Sequence, residues 1–315
     1  MRIRAPFVWP KDKAKLRRRA IALEWATLGS MGTAVIVLYF VLGNSQAMRT
    51  AWIEDVLSLI PATAYLIASS IERRKPTKLF PLGYYRAVSI AHLVGATAIL
   101  VVGGYVLVES AAKLVQQEHP TIGLMSVFGY ELWGGWLMMA ALFYSTVPPV
   151  VLGRLKMPIA REIHDKALLA DAAIQKADWM TGVGAIVGIA GVGFGFWWAD
   201  AVAALFISVD IVRDGFRHGM RAMGDLADRI PHTVRGDAVH PAIRVARDAA
   251  AGVEGVARAD VKLREEGHLL TGIVYVELQS EAAVVDCVDR VRKAVEDSDW
   301  RLYDISVMPV RPGTI

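Results

Sequence analysis

Apolar residues run along the first two thirds of the chain in blocks of about 20, the length a helix needs to cross roughly 30 Å of hydrocarbon. Six such blocks, at 20–43, 51–71, 87–115, 124–152, 167–194 and 197–213, each predict a transmembrane helix. The first is too long for a signal-peptide core and lacks a small-residue cleavage site. The last two are separated only by a short turn near FGFWWAD. Pro148 and Pro149 predict a break in the fourth helix before the loop that follows it.

Beyond about residue 235 the pattern changes. VHPAIRVARDAAAG has helical periodicity and ends in glycine, while ARADVKLREEG and LLTGIVYVELQ read as two strands joined at a glycine turn. AAVVDCVDRVRKAVEDS is an amphipathic helix and RLYDISVMPV a closing strand. The order α-β-β-α-β predicts a small α+β sandwich, with helices on one face of a three-stranded sheet. The expected divisions are a basic N-terminal arm over 1–18, a six-helix transmembrane domain over 19–215, a linker over 216–234 and a cytosolic domain over 235–315.

Composition agrees with a membrane chain. Hydrophobic residues make up 54% of the 315, above the 45–50% or so of soluble proteins, and the mean hydropathy is +0.38. The placement of charge says more than the net +4. KDKAKLRRR, ERRKPTK, GRLKMPIAREIHDK and RDGFRHGMR are basic, whereas GNSQAMRT, QQEHPTIG and FGFWWAD hold a single Arg between them. Every even-numbered crossing therefore returns to the basic side, which puts both termini in the cytoplasm and the chain in the plasma membrane, the inner membrane of a two-membrane cell. The basic ends read as positive-inside topology and headgroup contact, not as nucleic-acid binding. No phosphate-binding glycine loop and no supported Ser–His–Asp pattern is present, so neither ATP hydrolysis nor hydrolase chemistry is indicated. The one cysteine, Cys287, allows no intrachain disulfide.

Against this background two acids stand out in WIEDVLSLIP, residues 52–61. An ionisable group at mid-membrane costs at least ~2.5–3.5 kcal/mol and needs a partner, water or a cation. On a helical wheel Glu54, Ser58, Pro61 and Tyr65 share a face, with Asp55 on its flank. That face either reaches interfacial water or lines a polar cavity. In the fifth segment Asp171, Gln175, Asp178 and Gly182 recur at spacings of four, three and four, again forming one stripe. Two carboxylate-bearing stripes facing each other make a cation site, and oxygen and amide ligands favour a hard or borderline divalent ion. The alternative is an ion pair in which Lys176 neutralises one acid. Glu24 and Glu131 lie in other segments, as relay members or as satisfied or interfacial groups. His92 reads as a packed histidine. His232, His240, His268 and Cys287 match no metal-ligand spacing and read as surface or core.

Three stretches then carry a resemblance. FPLGYYRA at 80–87 is similar to the FxxGYxRAE element of the cation diffusion facilitator family. LLADAAIQKAD at 168–178 resembles its LxADAxHxxxD element, and WWADAVAALFIS at 197–208 its entry to the sixth helix. The resemblance implies a proton-coupled exporter of divalent metal with both ends inside, working as a homodimer whose C-terminal domain is ferredoxin-like. The metal is substrate and no cofactor or catalytic residue is implied. Departures fall on the usual ligands: Ile174 stands where the family carries His, Val88 where the acid closes its element, and Glu54 and Ser58 match the helix-2 ligand positions. The resemblance carries over Asp178 and, as a substituted ligand, Glu54. The wheels add Asp55, Asp171 and Gln175, so the candidate metal set is Glu54, Asp55, Ser58, Asp171, Gln175 and Asp178. Without imidazole or thiolate it suits Mn²⁺, Fe²⁺ or Mg²⁺ better than tetrahedral zinc. Crowded carboxylates bind protons that a metal must displace, which gives antiport if the cavity opens alternately to each side. The altered ligands equally allow a transport-inactive sensor or partner subunit.

Overall fold

Helix α1, Lys11–Val41, buries Arg17, Ala20, Glu24, Thr27, Met31, Ala34, Leu38 and Val41. This 3–4 alternation lays one stripe against the neighbouring helices, while Trp25, Ile36, Tyr39 and Phe40 stand exposed as a lipid-facing surface does. The structure is a computed structural model that describes residues 5–41, 52, 55–117, 123–127, 130–234, 238–279 and 284–315. Glu54 lies outside the described residues. Five further helices complete the bundle: α2 Leu59–Glu72, α3 Ala87–Gln116, α4 Gly134–Glu162, α5 Lys166–Gly193 and α6 Ala199–Leu226, with α1 packed on α2 and α4. Among the described residues α1, α3 and α4 are long and apolar enough to cross a bilayer. Helix α5 is central, touching α2, α3, α4 and α6.

Several boundaries differ from the expectation. Helix α1 begins at Lys11, so the last eight positions of the supposed arm are helical. The block that starts at 124 opens as a hairpin, β1 Leu124–Val127 antiparallel to β2 Tyr130–Trp133, and α4 starts only at Gly134. Glu131 sits exposed on β2. Pro148 and Pro149 do not end α4, which continues through Pro158 to Glu162. Each proline removes one ladder bond, and packed neighbours on both sides, α1 and α5, hold the rod together. Helix α6 likewise runs to Leu226, well into the expected linker. The α3–α6 seam requires bare backbone. A Cβ on Gly103 would come within 2.7 Å of Ile211 Cγ2, and one on Gly215 within 2.9 Å of the Leu100 nitrogen.

The C-terminal part follows as α7 Ala242–Ala251, β3 Val256–Glu266, β4 Leu269–Leu278, α8 Val284–Ser298 and β5 Ser306–Val310. The sheet order is β3-β4-β5, with β3 antiparallel and β5 parallel to β4. Ala246, Ala250, Val274, Val276, Cys287, Val291 and Val295 form its core.

The β3–β4 turn docks on the helices. Gly267 has φ +63°, and a Cβ there would run into the Tyr85 carbonyl and press on Val88. Its neighbour His268 is buried, with Nε2 3.8 Å from Glu72 Oε2 at the end of α2 and 3.7 Å from Asp165 Oδ2 at the start of α5. Arg17 closes on Glu72 at 2.5 Å and lies over Trp9, whose ring meets those of His268 and Trp300. On the other flank Lys166 Nζ bridges Asp225 Oδ2 at 2.8 Å and Glu265 Oε2 at 2.9 Å. Arg301 donates to the His268 carbonyl at 2.8 Å and meets Glu265 at 3.5 Å. His240 Nε2 lies 2.8 Å from Arg301 Nη1 and the His240 ring packs on His164.

Burial, then the charges of Arg301 and Lys166, push His240 down from the ordinary 6.5 to about 4, and burial with Arg301 and His240 lowers His164 as well. A histidine lowered on folding contributes its stability in full above its unfolded value and loses it as pH falls toward the folded one. The junction is therefore expected to loosen between pH about 6.5 and about 4. Hydrogen exchange of β3 and β4 across that window should show rising exchange, and His240→Gln should flatten the dependence.

Candidate cation site

The acidic stretch enters the structure as a helical turn at Asp55–Leu57, breaks at Ser58, and resumes as α2 from Leu59. Pro61 explains the break. As the third residue of α2 it has no N–H to offer the Leu57 carbonyl one turn back, and a first turn is where proline is accommodated most easily. Ser58 makes no side-chain cap for α2. Its hydroxyl instead donates to Asp178 Oδ1 of α5 at 2.7 Å.

That bond fixes one oxygen of Asp178. The other, Oδ2, is buried with no hydrogen-bond partner among the described residues. Asp55, Ser58, Pro61 and Asp178 line a cavity of about 90 Å³, room for several waters or a partly hydrated ion. Its remaining walls are mostly apolar. They include Ile174, which packs with Ile99 and Ile211 where an imidazole would be expected. The cavity extends along α3 from Ala98 to Lys113, about 22 Å at 1.5 Å per residue. Lys113 there pairs with Glu109 at 2.8 Å.

Asp171 and Gln175 do not line this cavity. They lie toward the start of α5, where Asp171 meets the completely buried Lys156 of α4 and Gln175 meets Asp171. Lys156 Nζ contacts Asp171 Oδ2 at 2.5 Å and Glu24 Oε2 of α1 at 2.9 Å. Gln175 Nε2 donates to Asp171 Oδ2 at 3.0 Å and to Thr27 Oγ1 at 3.1 Å. Lys176, the expected partner for an acid, is exposed and belongs to neither group. The stripe drawn on the wheel thus divides, with Asp178 facing a cavity and Asp171 with Gln175 facing a lysine.

Sequence reasoning missed Lys156 because it ended the helix at 152 and counted this residue as a loop charge. Its signal was position: Lys156 follows Pro149 and Gly153 at a 4–3 spacing, on the face of α4 that meets α5. Glu24 is a satisfied group, held by that lysine. His92 is packed in the interior, with Nε2 3.4 Å from His218 Nδ1.

Removing one partner of a buried ion group leaves charge uncompensated, at about 3–5 kcal/mol. Lys156→Met, which strands Glu24 and Asp171, should lower stability by that amount in thermal unfolding of the detergent-solubilised protein. Glu24→Gln keeps the Lys156–Asp171 pair and should cost far less.

Comparison with known proteins converges on the same elements. Residues 25–227 match the model of the cation efflux transmembrane domain. The chain is 23% identical over 258 residues to the manganese efflux system protein MneS of Bacillus subtilis, covering 82% of each. It is 24% identical to the manganese efflux system protein MneP of the same organism, over 55% of this chain and 56% of that one. The magnetosome protein MamB of Magnetospira sp. is 21% identical over 86% of this chain and 88% of its own. With the domain model running from within α1 through α6, the chain belongs to the cation diffusion facilitator family: it is a membrane transporter of metal cations, not an enzyme.

Proposed function

We propose that the protein exports a divalent cation, Mn²⁺ first among the candidates, in exchange for protons, through Asp178, Asp55 and the neighbouring Glu54. The observation that carries this reading is Asp178 itself. A carboxylate buried in a helix bundle, one oxygen pinned by Ser58 and the other without a partner, faces a cavity that it shares with a second carboxylate. An arrangement of this kind is a poor structural element and a good cation ligand. Ser58 acts by orienting Asp178 and also offers an oxygen. Asp171 and Gln175 fall outside this ligand set.

The choice of ion rests on ligand chemistry and on the relatives. Carboxylate and hydroxyl oxygens suit manganese and other hard or borderline ions, and two of the similar proteins are manganese efflux proteins. Metal and protons compete for the same oxygens, so loading one side and releasing at the other exchanges them. The apolar blocks and the charge pattern support six crossings with both termini in the cytoplasm, and the proposed location is the plasma membrane. The α-β-β-α-β order supports a ferredoxin-like domain that pairs in a homodimer. In domain terms, transport belongs to the α1–α6 part, and dimerisation and regulation to the region after 235.

The test is flux of Mn²⁺, Fe²⁺, Zn²⁺, Co²⁺ and Mg²⁺ into proteoliposomes under an imposed proton gradient. Mn²⁺ flux is expected in the parent and should collapse in Asp178→Asn, Asp55→Asn and Glu54→Gln. Ser58→Ala, which leaves the ligand but not its orientation, should weaken apparent affinity about 10–100-fold. No flux for any ion with intact protein would overturn transport and favour a sensor or partner subunit.

A further inference from the structure

A second polar group lies about 10 Å from Asp178 along α5, seven residues at 1.5 Å each, toward the end that carries the basic connections. Its members are deeply buried: Lys156 and Glu24 at 0% exposure, and Asp171, Gln175 and Thr27 at 1%. One ammonium faces two carboxylates, so with all three ionised the group is one positive charge short. Two of its oxygens, Glu24 Oε1 and Gln175 Oε1, have no hydrogen-bond partner among the described residues. Gln175 Oε1 faces the bare backbone of Gly153, where even a Cβ would come within 3.4 Å.

We propose that Glu24, Asp171 and Gln175 form a second station for the transported cation, and that the Lys156 ammonium occupies it as a tethered competitor while this end of the pathway is closed. The inference rests on the transport reading above. Glu24 of α1 and Asp171 of α5 converge on one Nζ, Gln175 is bonded to Asp171, and Glu24 Oε1 and Gln175 Oε1 are two more oxygens in reserve, a donor set that suits a hard or borderline divalent ion. Lys156 fills it with a charge the chain supplies itself. The arrangement explains the asymmetry of the cavity, which runs from Asp178 away from the basic end as far as Lys113, while nothing in the Lys156 group lines it. A cation arriving from the basic end displaces Lys156, is held briefly by Glu24 and Asp171, and moves on to Asp178. The returning ammonium then closes the path behind it. Discrete pairing of this sort gives a gate two defined states rather than a continuum.

Mn²⁺ alone is the probe, and the protein is the full chain in detergent and in liposomes. Removing the competitor should create a site that does not need Asp178. In Lys156→Met/Asp178→Asn the thermal midpoint should climb with Mn²⁺ concentration, as a ligand that binds only the folded state requires. The climb should be absent in Asp178→Asn alone and disappear when Glu24→Gln is added. Because Lys156→Met is strained without metal, a second measurement uses a variant that keeps the lysine paired. Glu24→Gln should slow Mn²⁺ flux several-fold at subsaturating Mn²⁺ on the basic side, with equilibrium Mn²⁺ binding to the Asp178 site unchanged. A Glu24→Gln flux equal to the parent, or a double variant blind to Mn²⁺, overturns the second station. Failure of the transport reading looks different, since it removes flux and binding in the parent itself.

Discussion

A single ammonium ties three helices together. Lys156 arrives from α4 and finds Glu24 of α1 and Asp171 of α5 in an interior that holds little else for a charge. In such surroundings no member of the group can be left alone, because each stranded charge is worth several kcal/mol. The pairing therefore sets the relative heights of α1, α4 and α5 as firmly as any apolar contact. It also sets what α5 can present two turns further on. With Asp171 and Gln175 engaged, Asp178 is the acid of that stripe that faces the cavity, and Ser58 decides which of its oxygens does so.

The same logic operates at the basic end on a larger scale. The β3–β4 turn brings His268 between the end of α2 and the start of α5, the two helices that carry Ser58 and Asp178. Lys166 opens α5 and links it to Asp225 of α6 and Glu265 of β3. A displacement of the C-terminal sheet would therefore act on the ends of α2 and α5 directly rather than through a passive linker. That α6 runs unbroken to Leu226 matters here, because a rigid helix delivers Asp225 to the junction where a flexible segment would not.

Much of this was legible in the residues, and the part that was not has a physical reason. Helical periodicity located the acids and identified the Asp171–Gln175–Asp178 face, and the α-β-β-α-β order of the tail matches the strands and helices observed. A wheel gives the direction a side chain points but not what stands opposite. The alternative reading gives one of the acids to Lys176 as an ion pair, whereas the lysine that holds Asp171 lies fifteen residues back on another helix. Prolines misled in the same local way: Pro148 and Pro149 lower intrinsic helicity, yet tertiary packing carried α4 past them. The hairpin at 124–133 was hidden because a short, aromatic-rich apolar run serves strand and membrane helix alike.

The proposed preference for an oxygen-seeking ion turns on Ile174, the residue that stands where the family carries His. Ile174 does not merely omit a ligand; with Ile99 and Ile211 it forms an apolar wall on that side of the cavity. In the site proposed above, an ion at Asp178 would meet oxygens from the turn at Asp55–Ser58 on one side and hydrocarbon on the other. Zinc gains most from imidazole or thiolate in a tetrahedral set, and none of the cavity's lining side chains offers either. Manganese loses little from their absence and tolerates water in the remaining positions. A wall that cannot coordinate leaves those positions to water, and the cavity is large enough to hold it. On the proposed transport reading, the substitution that looks like a lost ligand becomes a change of preference, from a nitrogen-seeking ion to an oxygen-seeking one.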